Sequence, residues 1–337
     1  MTTNYFFFLL LIYIASLLGT FFYRSFAVKN KIFSYLNERT LHAKPTPRGG
    51  GLVFSLVFVF SIIYLYFNHF IKFDLLLVFG IGGAVALFVG YVDDVKNISS
   101  LKKLALQFIL AFWILFIFKD GLFRDLSLFN NFVAWGVGLF SIVWLINAYN
   151  FIDGIDGMAI SGAILILSSL VLITIISSQD TELLIIFSIL LASCLGFLLF
   201  NWPKATIFMG DSGSIFLGYI FSALIIYSTM LDKISFFTWL VIFGYYLSDT
   251  VVTSLIRLAT IKKWYGTHRS HAYQNLARIT KSHLKVTTGV IIFHIFWLFP
   301  LSICTIFYPQ FQLQAAALAL LPGILWAIKF GPLYSNE

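Results

Sequence analysis

Asn147, Asn150, Asp153 and Asp156 recur at every third position of the stretch NAYNFIDGIDGMA, with Gly154 and Gly157 between them. The flanks read LFSIVWLI and ISGAILILSSLVLITII, apolar runs suited to lipid. Carboxylates are among the worst side chains to place near hydrocarbon, and an ionisable residue there marks function by default. Four further polar clusters interrupt apolar sequence in the same way: KPTPRGGG (44–51), GYVDDVKNISSLKKLALQ (90–107), NWPKATIFMGDSGS (201–214) and HRSHAYQ (268–274).

The residue types in these clusters define a chemistry. Asp93, Asp94, Asp153, Asp156 and Asp211 are carboxylates that would repel one another if brought together uncompensated. A bound divalent cation resolves that repulsion. The donors are hard oxygens, with no Cys among them and His only in one distant loop, which favours Mg²⁺ or Mn²⁺ over zinc. Lys103, Lys204, His268, Arg269 and His271 supply positive charge suited to phosphates, and Arg48, Asn147, Asn150 and Asn201 add further donors. The DSGS stretch opens a helix with small residues, where exposed backbone N–H groups favour an anion. Carboxylates, a divalent ion, cationic loops and glycine-rich backbone together describe phosphoryl transfer.

These clusters must be positioned by membrane helices. The chain of 337 residues is 60% hydrophobic and only 11% charged, with a mean hydropathy of +0.94, whereas soluble domains carry about 25% charged residues. Apolar windows of spanning length fall near 5–22, 51–68, 74–92, 104–118, 132–148, 158–177, 182–200, 212–230, 235–258, 286–306 and 312–330. The expected fold is all-α: a polytopic membrane bundle of about 10–11 transmembrane helices in one domain. The N-terminal window has no basic residue before it and no small-x-small cleavage site, so it reads as a first span. With the N-terminus periplasmic, the outer loops hold only Lys72, Lys119, Arg124 and Lys233, and the inner loops take nearly all other basic residues. All five polar clusters then fall on the cytoplasmic face. The basic loops face anionic lipid headgroups, which explains most of the +8 net charge without nucleic acid. Cys194 and Cys304 lie in apolar segments and form no disulfide framework or metal motif.

Singly, each cluster has a plainer reading. Asp93–Asp94 could be a solvated helix end, Asn147 and Asn150 interhelical glue, and TPRGGG a turn. His42, His69, His283 and His294 read as ordinary surface or core histidines. The co-occurrence of the clusters on one face favours a site. A transporter would need polar groups near the midplane and access from both sides. A CDP-alcohol phosphotransferase would need an Asp-Gly-x-x-Ala-Arg motif with two further spaced aspartates, and DGIDGMAISG lacks that arginine and spacing.

PRGGG, DD followed by KLALQ, NAYNFIDGIDGMA, FMGDSGS and the histidine loop, in this order over residues 45 to about 275, resemble the polyprenyl-phosphate N-acetylhexosamine-1-phosphate transferases. The resemblance implies a bacterial inner-membrane enzyme on which undecaprenyl phosphate attacks the β-phosphorus of a UDP-N-acetyl sugar and releases UMP. It implies that Asp211 is a Mg²⁺ ligand, with Asp153 beside it, and that Asp93 and Asp94 lie near the attacking phosphate. Asp153 and Asp156 match the third acidic motif, Asn150 the nucleotide pocket, and Lys103 a lysine on a phosphate. The last loop lacks the three-histidine run of the peptidoglycan branch and the His-x-His-His of the common-antigen branch. Its His268-Arg269-Ser270-His271 resembles the O-antigen-initiating branch, whose sugars are often 6-deoxy, and the loop is expected to choose the sugar through His271, Tyr273 and Gln274. A homodimer is compatible with the sequence.

Overall fold

A computed structural model of the protein describes residues 2–34, 45–122, 128–177, 180–260 and 270–334. Lys44, Arg124, His42, His268 and Arg269 lie outside the described residues. The described chain is a helical bundle with one two-residue hairpin, as the apolar windows require.

Helix α1 (Thr2–Lys29) is followed by strands β1 (Phe33–Ser34) and β2 (Thr46–Pro47), which pair antiparallel. Helix α2 (Gly51–Phe67) leads to a span in which α3 (Phe73–Leu75) passes through a π-helical segment, Leu76–Gly82, into α4 (Gly83–Lys96). Next come α5 (Ser100–Leu122), α6 (Leu128–Ile152), α7 (Met158–Ile176), α8 (Thr181–Asn201) and α9 (Asp211–Met230). Helices α10 (Phe236–Ile242) and α11 (Gly244–Thr260) meet at a bend of 81°. The short α12 (Ala272–Thr280) precedes α13 (His283–Phe293), a second π-helical segment (His294–Leu298), α14 (Phe299–Phe307) and α15 (Gln312–Phe330). Among the described residues, 9 helices are long and apolar enough to cross a membrane, or 10 with the bent pair, and α2 is a shorter apolar helix. Each apolar window of the sequence meets a helix. The difference lies at 235–258, which reads as one span and is broken before Gly244.

Helix α9 is the axis of the bundle. Its apolar window is 78% buried, against 17% for α1, and α2, α4 and α6 pack directly on it. In lipid no large hydrophobic gain drives helix pairing, so close backbone approach must supply the packing. Small residues at three crossings permit it. A Cβ on Gly51 would stand 2.2 Å from Gly213 N, one on Gly90 2.2 Å from Asp211 O, and one on Gly218 2.7 Å from Ile146 Cα. These atoms are backbone and cannot swing aside.

The loop ahead of α9 is stitched to the loop ahead of α2. Phe208 N donates to Pro47 O (2.8 Å), Gly50 N to Phe208 O (2.9 Å) and Gly51 N to Met209 O (2.9 Å). The Arg48, Gly50 and Gly51 amides are therefore spent on carbonyls, and the stretch serves as a seam between two helix starts.

Gly90→Ala should force α4 away from the start of α9, an overpacking that costs about 1–3 kcal/mol. It is expected to lower the thermal midpoint in detergent. Gly136→Ala, where nothing lies within 4 Å of the new methyl, should leave the midpoint within a degree or two of wild type.

Candidate active site

The end of the bundle where α4 and α6 stop and α5, α7 and α9 start gathers the polar residues. The start of α9 organises them. Gly210 has φ +74, a conformation that favours glycine, and a Cβ there would lie 2.6 Å from both Asp94 carboxylate oxygens. With that face open, the Asp94 carboxylate accepts from Asp211 N and Ser212 N, at 3.0 Å each. The Asp153 carboxylate lies close enough to feel the charges of Asp94 and Asp211. Two successive amides are thus clasped by one carboxylate from α4. The sequence leads one to expect these amides to be free for a substrate anion. The structure corrects this: Asp94 is the anion at the helix start, where the helix dipole favours negative charge.

Asp211 turns its own side chain to the opposite side. Its Oδ2 receives Lys103 Nζ at 2.6 Å, and its Oδ1 receives Asn150 Nδ2 at 3.1 Å. Lys103 Nζ also donates to Asp93 Oδ2 at 2.5 Å. Asp93 is held in turn by Ile98 N on Oδ1 (2.6 Å), an approach made possible by Asn97, which ends α4 in a left-handed conformation. Asn150 Nδ2 reaches Ser214 Oγ as well, at 2.8 Å. Asp93, Asp94, Asp153 and Asp211 therefore converge. Lys103 is the one basic side chain seen to bridge two of them among the described residues. Asp153 lies half-buried where α6 gives way to the turn into α7. Burial holds its carboxyl well above the ordinary carboxylate range, and the Asp211 and Asp94 carboxylates push it in the same direction.

The other candidates fall around this group. Asn147 pairs with Gln107, donating to its Oε1 at 2.7 Å, so it joins α6 to α5 in the interhelical manner. Asp156 Oδ2 accepts from Ala205 N (3.1 Å) and lies 3.3 Å from His283 Nδ1, while Thr287 donates to the Asp156 carbonyl (2.9 Å). Asn201 bonds Gly157 N and Ile207 O. Asp156 and Asn201 thus fasten the 202–206 turn to the start of α7, away from Lys103. Lys204 is exposed on that turn. Arg48 is half-buried and donates to Asn97 Oδ1 at 3.3 Å. His271 is buried against Asp249, and the Tyr273 hydroxyl donates to Phe151 O at 2.6 Å. These two side chains brace the turn from below and are not presented as open sugar contacts. Sequence reading missed Gln107, Ser214 and Asp249. The first two are polar positions inside clusters already singled out, and Asp249 is a carboxylate within an apolar span.

The donor set fits a divalent cation. Among the described residues, no three Asp, Glu, His or Cys side chains already enclose one point. Mg²⁺ needs only one or two direct carboxylates and completes its shell with water and phosphate oxygens. Asp153 and Asp211 are the pair whose mutual repulsion such an ion would relieve.

Lys103→Met should strand the Asp93 and Asp211 charges. Breaking a buried pair costs about 3–5 kcal/mol, less here because the Lys103 side chain is 22% exposed. The thermal midpoint should fall, and the double variant Lys103→Met/Asp93→Asn should recover part of that fall. Strictly additive losses would show that Lys103 does not serve Asp93.

Residues 76–229 match the profile of glycosyl transferase family 4. The chain is 27% identical over 315 residues to a probable undecaprenyl-phosphate N-acetylglucosaminyl 1-phosphate transferase of Bacillus subtilis, covering 90% of this chain and 81% of that one. It is 28% identical over 296 residues to a phospho-N-acetylmuramoyl-pentapeptide-transferase of Caldicellulosiruptor bescii, covering 82% of this chain and 87% of that one. A decaprenyl-phosphate N-acetylglucosaminephosphotransferase of Mycobacterium leprae is 30% identical over 211 residues, 56% of this chain and 52% of its own length. The matched region holds the carboxylate cluster, its lysine and the α9 start, and in it the chain is similar to glycosyl transferase family 4, consistent with the polyprenyl-phosphate hexosamine-1-phosphate transferases.

Proposed function

We propose that the protein transfers N-acetylhexosamine-1-phosphate from a UDP-sugar to undecaprenyl phosphate at the cytoplasmic face of a bacterial inner membrane. UMP leaves, and the lipid-linked sugar diphosphate starts an O-antigen or related envelope glycan. The observation that carries this reading is the carboxylate group of Asp93, Asp94, Asp153 and Asp211 around Lys103 at one end of a membrane bundle. The relatives named for polyprenyl phosphates and sugar phosphates support it.

Each residue then has a task. Asp153 and Asp211 would hold Mg²⁺, which neutralises diphosphate charge and steadies the departing UMP. Lys103, fixed by Asp93 and Asp211, meets incoming phosphate as a point charge. The lipid phosphate has its second pKa near 6, so it arrives largely as a dianion and does not require a strong base. Asp93, with Lys103 on one oxygen and Ile98 N on the other, positions the ammonium. Asn150 ties Asp211 to Ser214 and fixes the carboxylate orientation. The isoprenoid chain fits the apolar cavity of about 730 Å³ bounded by α6, α9, α10 and α11, where Trp144, Leu145, Ser222 and Leu247 face the space. The same face of α9 leads, about three turns on, from Ser222 to Asp211.

Purified protein given undecaprenyl phosphate and a panel of UDP-N-acetylhexosamines should release UMP in a Mg²⁺-dependent manner. Asp211→Asn and Asp153→Asn should each lower turnover by about 10²–10³-fold, the scale of a lost electrostatic contact at the reacting centre. Full turnover in excess EDTA, or CMP release from a CDP-alcohol with none from UDP-sugars, would contradict the assignment.

A further inference from the structure

Asp249 lies in the interior of α11, within an apolar span, and is only 2% exposed. A carboxylate buried there is costly unless its oxygens are fully bonded. Here they are. Ala272 N donates to Oδ1 at 3.0 Å, Tyr273 N to Oδ2 at 3.2 Å and Thr253 Oγ1 to Oδ1 at 3.1 Å, and His271 Nδ1 lies 3.4 Å from Oδ1. Three of these four groups belong to the start of α12, which is 23 or 24 residues away along the chain. Asp249 therefore caps a helix that is not its own.

Helix α12 passes the constraint on. The Tyr273 hydroxyl donates to Phe151 O at 2.6 Å. A Cβ on Gly154 would stand 2.2 Å from that hydroxyl and 2.4 Å from Gln274 Nε2, so the turn rests directly on α12. Phe151 and Gly154 flank Asp153, whose carboxylate feels those of Asp211 and Asp94. At its far end α12 is anchored again, with Asn275 Nδ2 donating to Phe330 O at 2.7 Å and to Gly331 O at 3.1 Å. A path of bonded groups thus runs from Asp249 through the α12 start and Tyr273 to the turn that carries Asp153.

We propose that Asp249 is a positioning residue for the transfer reaction: it holds α12 in place so that Tyr273 fixes the 150–157 turn and the direction of the Asp153 carboxylate. The proposal rests on the transferase reading above and adds to it a residue that touches neither substrate.

The test compares Asp249→Ala, Asp249→Asn, Tyr273→Phe and the double variant Asp249→Ala/Tyr273→Phe in the full-length protein. Tyr273→Phe removes one hydrogen bond and should lower kcat about 2–10-fold. Asp249→Ala should lower it more, and Asp249→Asn should recover part of the loss because the amide keeps one acceptor oxygen. The double variant should be no worse than Asp249→Ala, since both act through one contact. Losses that multiply would overturn the proposal. So would an Asp249→Ala protein whose folded fraction keeps the wild-type kcat. Amide hydrogen exchange supplies a readout that needs no activity: exchange across 150–157 should quicken in Asp249→Ala and in Tyr273→Phe. Unchanged exchange there in Asp249→Ala would overturn the proposal. Quickened exchange in a protein that releases no UMP would uphold the brace and refute only the transferase reading.

Discussion

Everything at the polar end of this molecule depends on one electrostatic imbalance. Asp93, Asp94, Asp153 and Asp211 are drawn together at the start of α9, and Lys103 is the cation that bridges two of them. Like charges at such distances resist joint ionisation. Two devices make the group tolerable. The Asp211 and Ser212 amides at the α9 start are given to Asp94, where the helix dipole favours negative charge. Lys103 and Asn150 divide the two oxygens of Asp211 between them. What remains is a net negative pocket of the kind that a divalent cation and its phosphates would complete, the chemical condition for moving a phosphoryl group between two anions.

The scaffold serves that pocket by bringing backbones close. Gly51, Gly90 and Gly218 let α2, α4 and α6 approach α9 until a methyl group would collide with main-chain atoms. Asp94 can reach the amides of Asp211 and Ser212 only because Gly90, one turn before it, permits that approach. Helix α11 has two working faces. Leu247, Ser248, Val251 and Val252 border the apolar cavity, while Asp249 and Thr253 point inward to the α12 start. One helix thus contacts both the apolar cavity and the α12 start beneath the Asp153 turn.

Much of this was legible in the sequence, for a physical reason. In a chain where most residues suit lipid, any Asp, Asn or Gly cluster must be accounted for, so 90–107, 147–159 and 201–214 stood out. The helical windows were legible on the same ground. The division of labour within the clusters was not. Asn147 and Asn150 look alike in sequence, yet one pairs with Gln107 and the other with Asp211. Asp153 and Asp156 share one motif, but the turn at Gly154–Gly157 sends the second toward Ala205 and His283. The amides of DSGS looked open because their partner, Asp94, lies 117 residues earlier. Asp249 was passed over because one carboxylate in YYLSDTVV has no neighbour in sequence that explains it, and its partners lie beyond the following loop. The bend before Gly244 left no trace in an apolar window.

The central claim is that the carboxylate group is incomplete without a divalent cation and that nucleotide phosphate completes the same site. Calorimetric titration of purified protein with UMP, in saturating Mg²⁺ and in excess EDTA, tests it most directly. The account predicts that Mg²⁺ tightens UMP binding at least about tenfold, a coupling of about 1.4 kcal/mol, and that this coupling disappears in Asp153→Asn. Equal UMP affinity with and without the metal in the wild-type protein would contradict it.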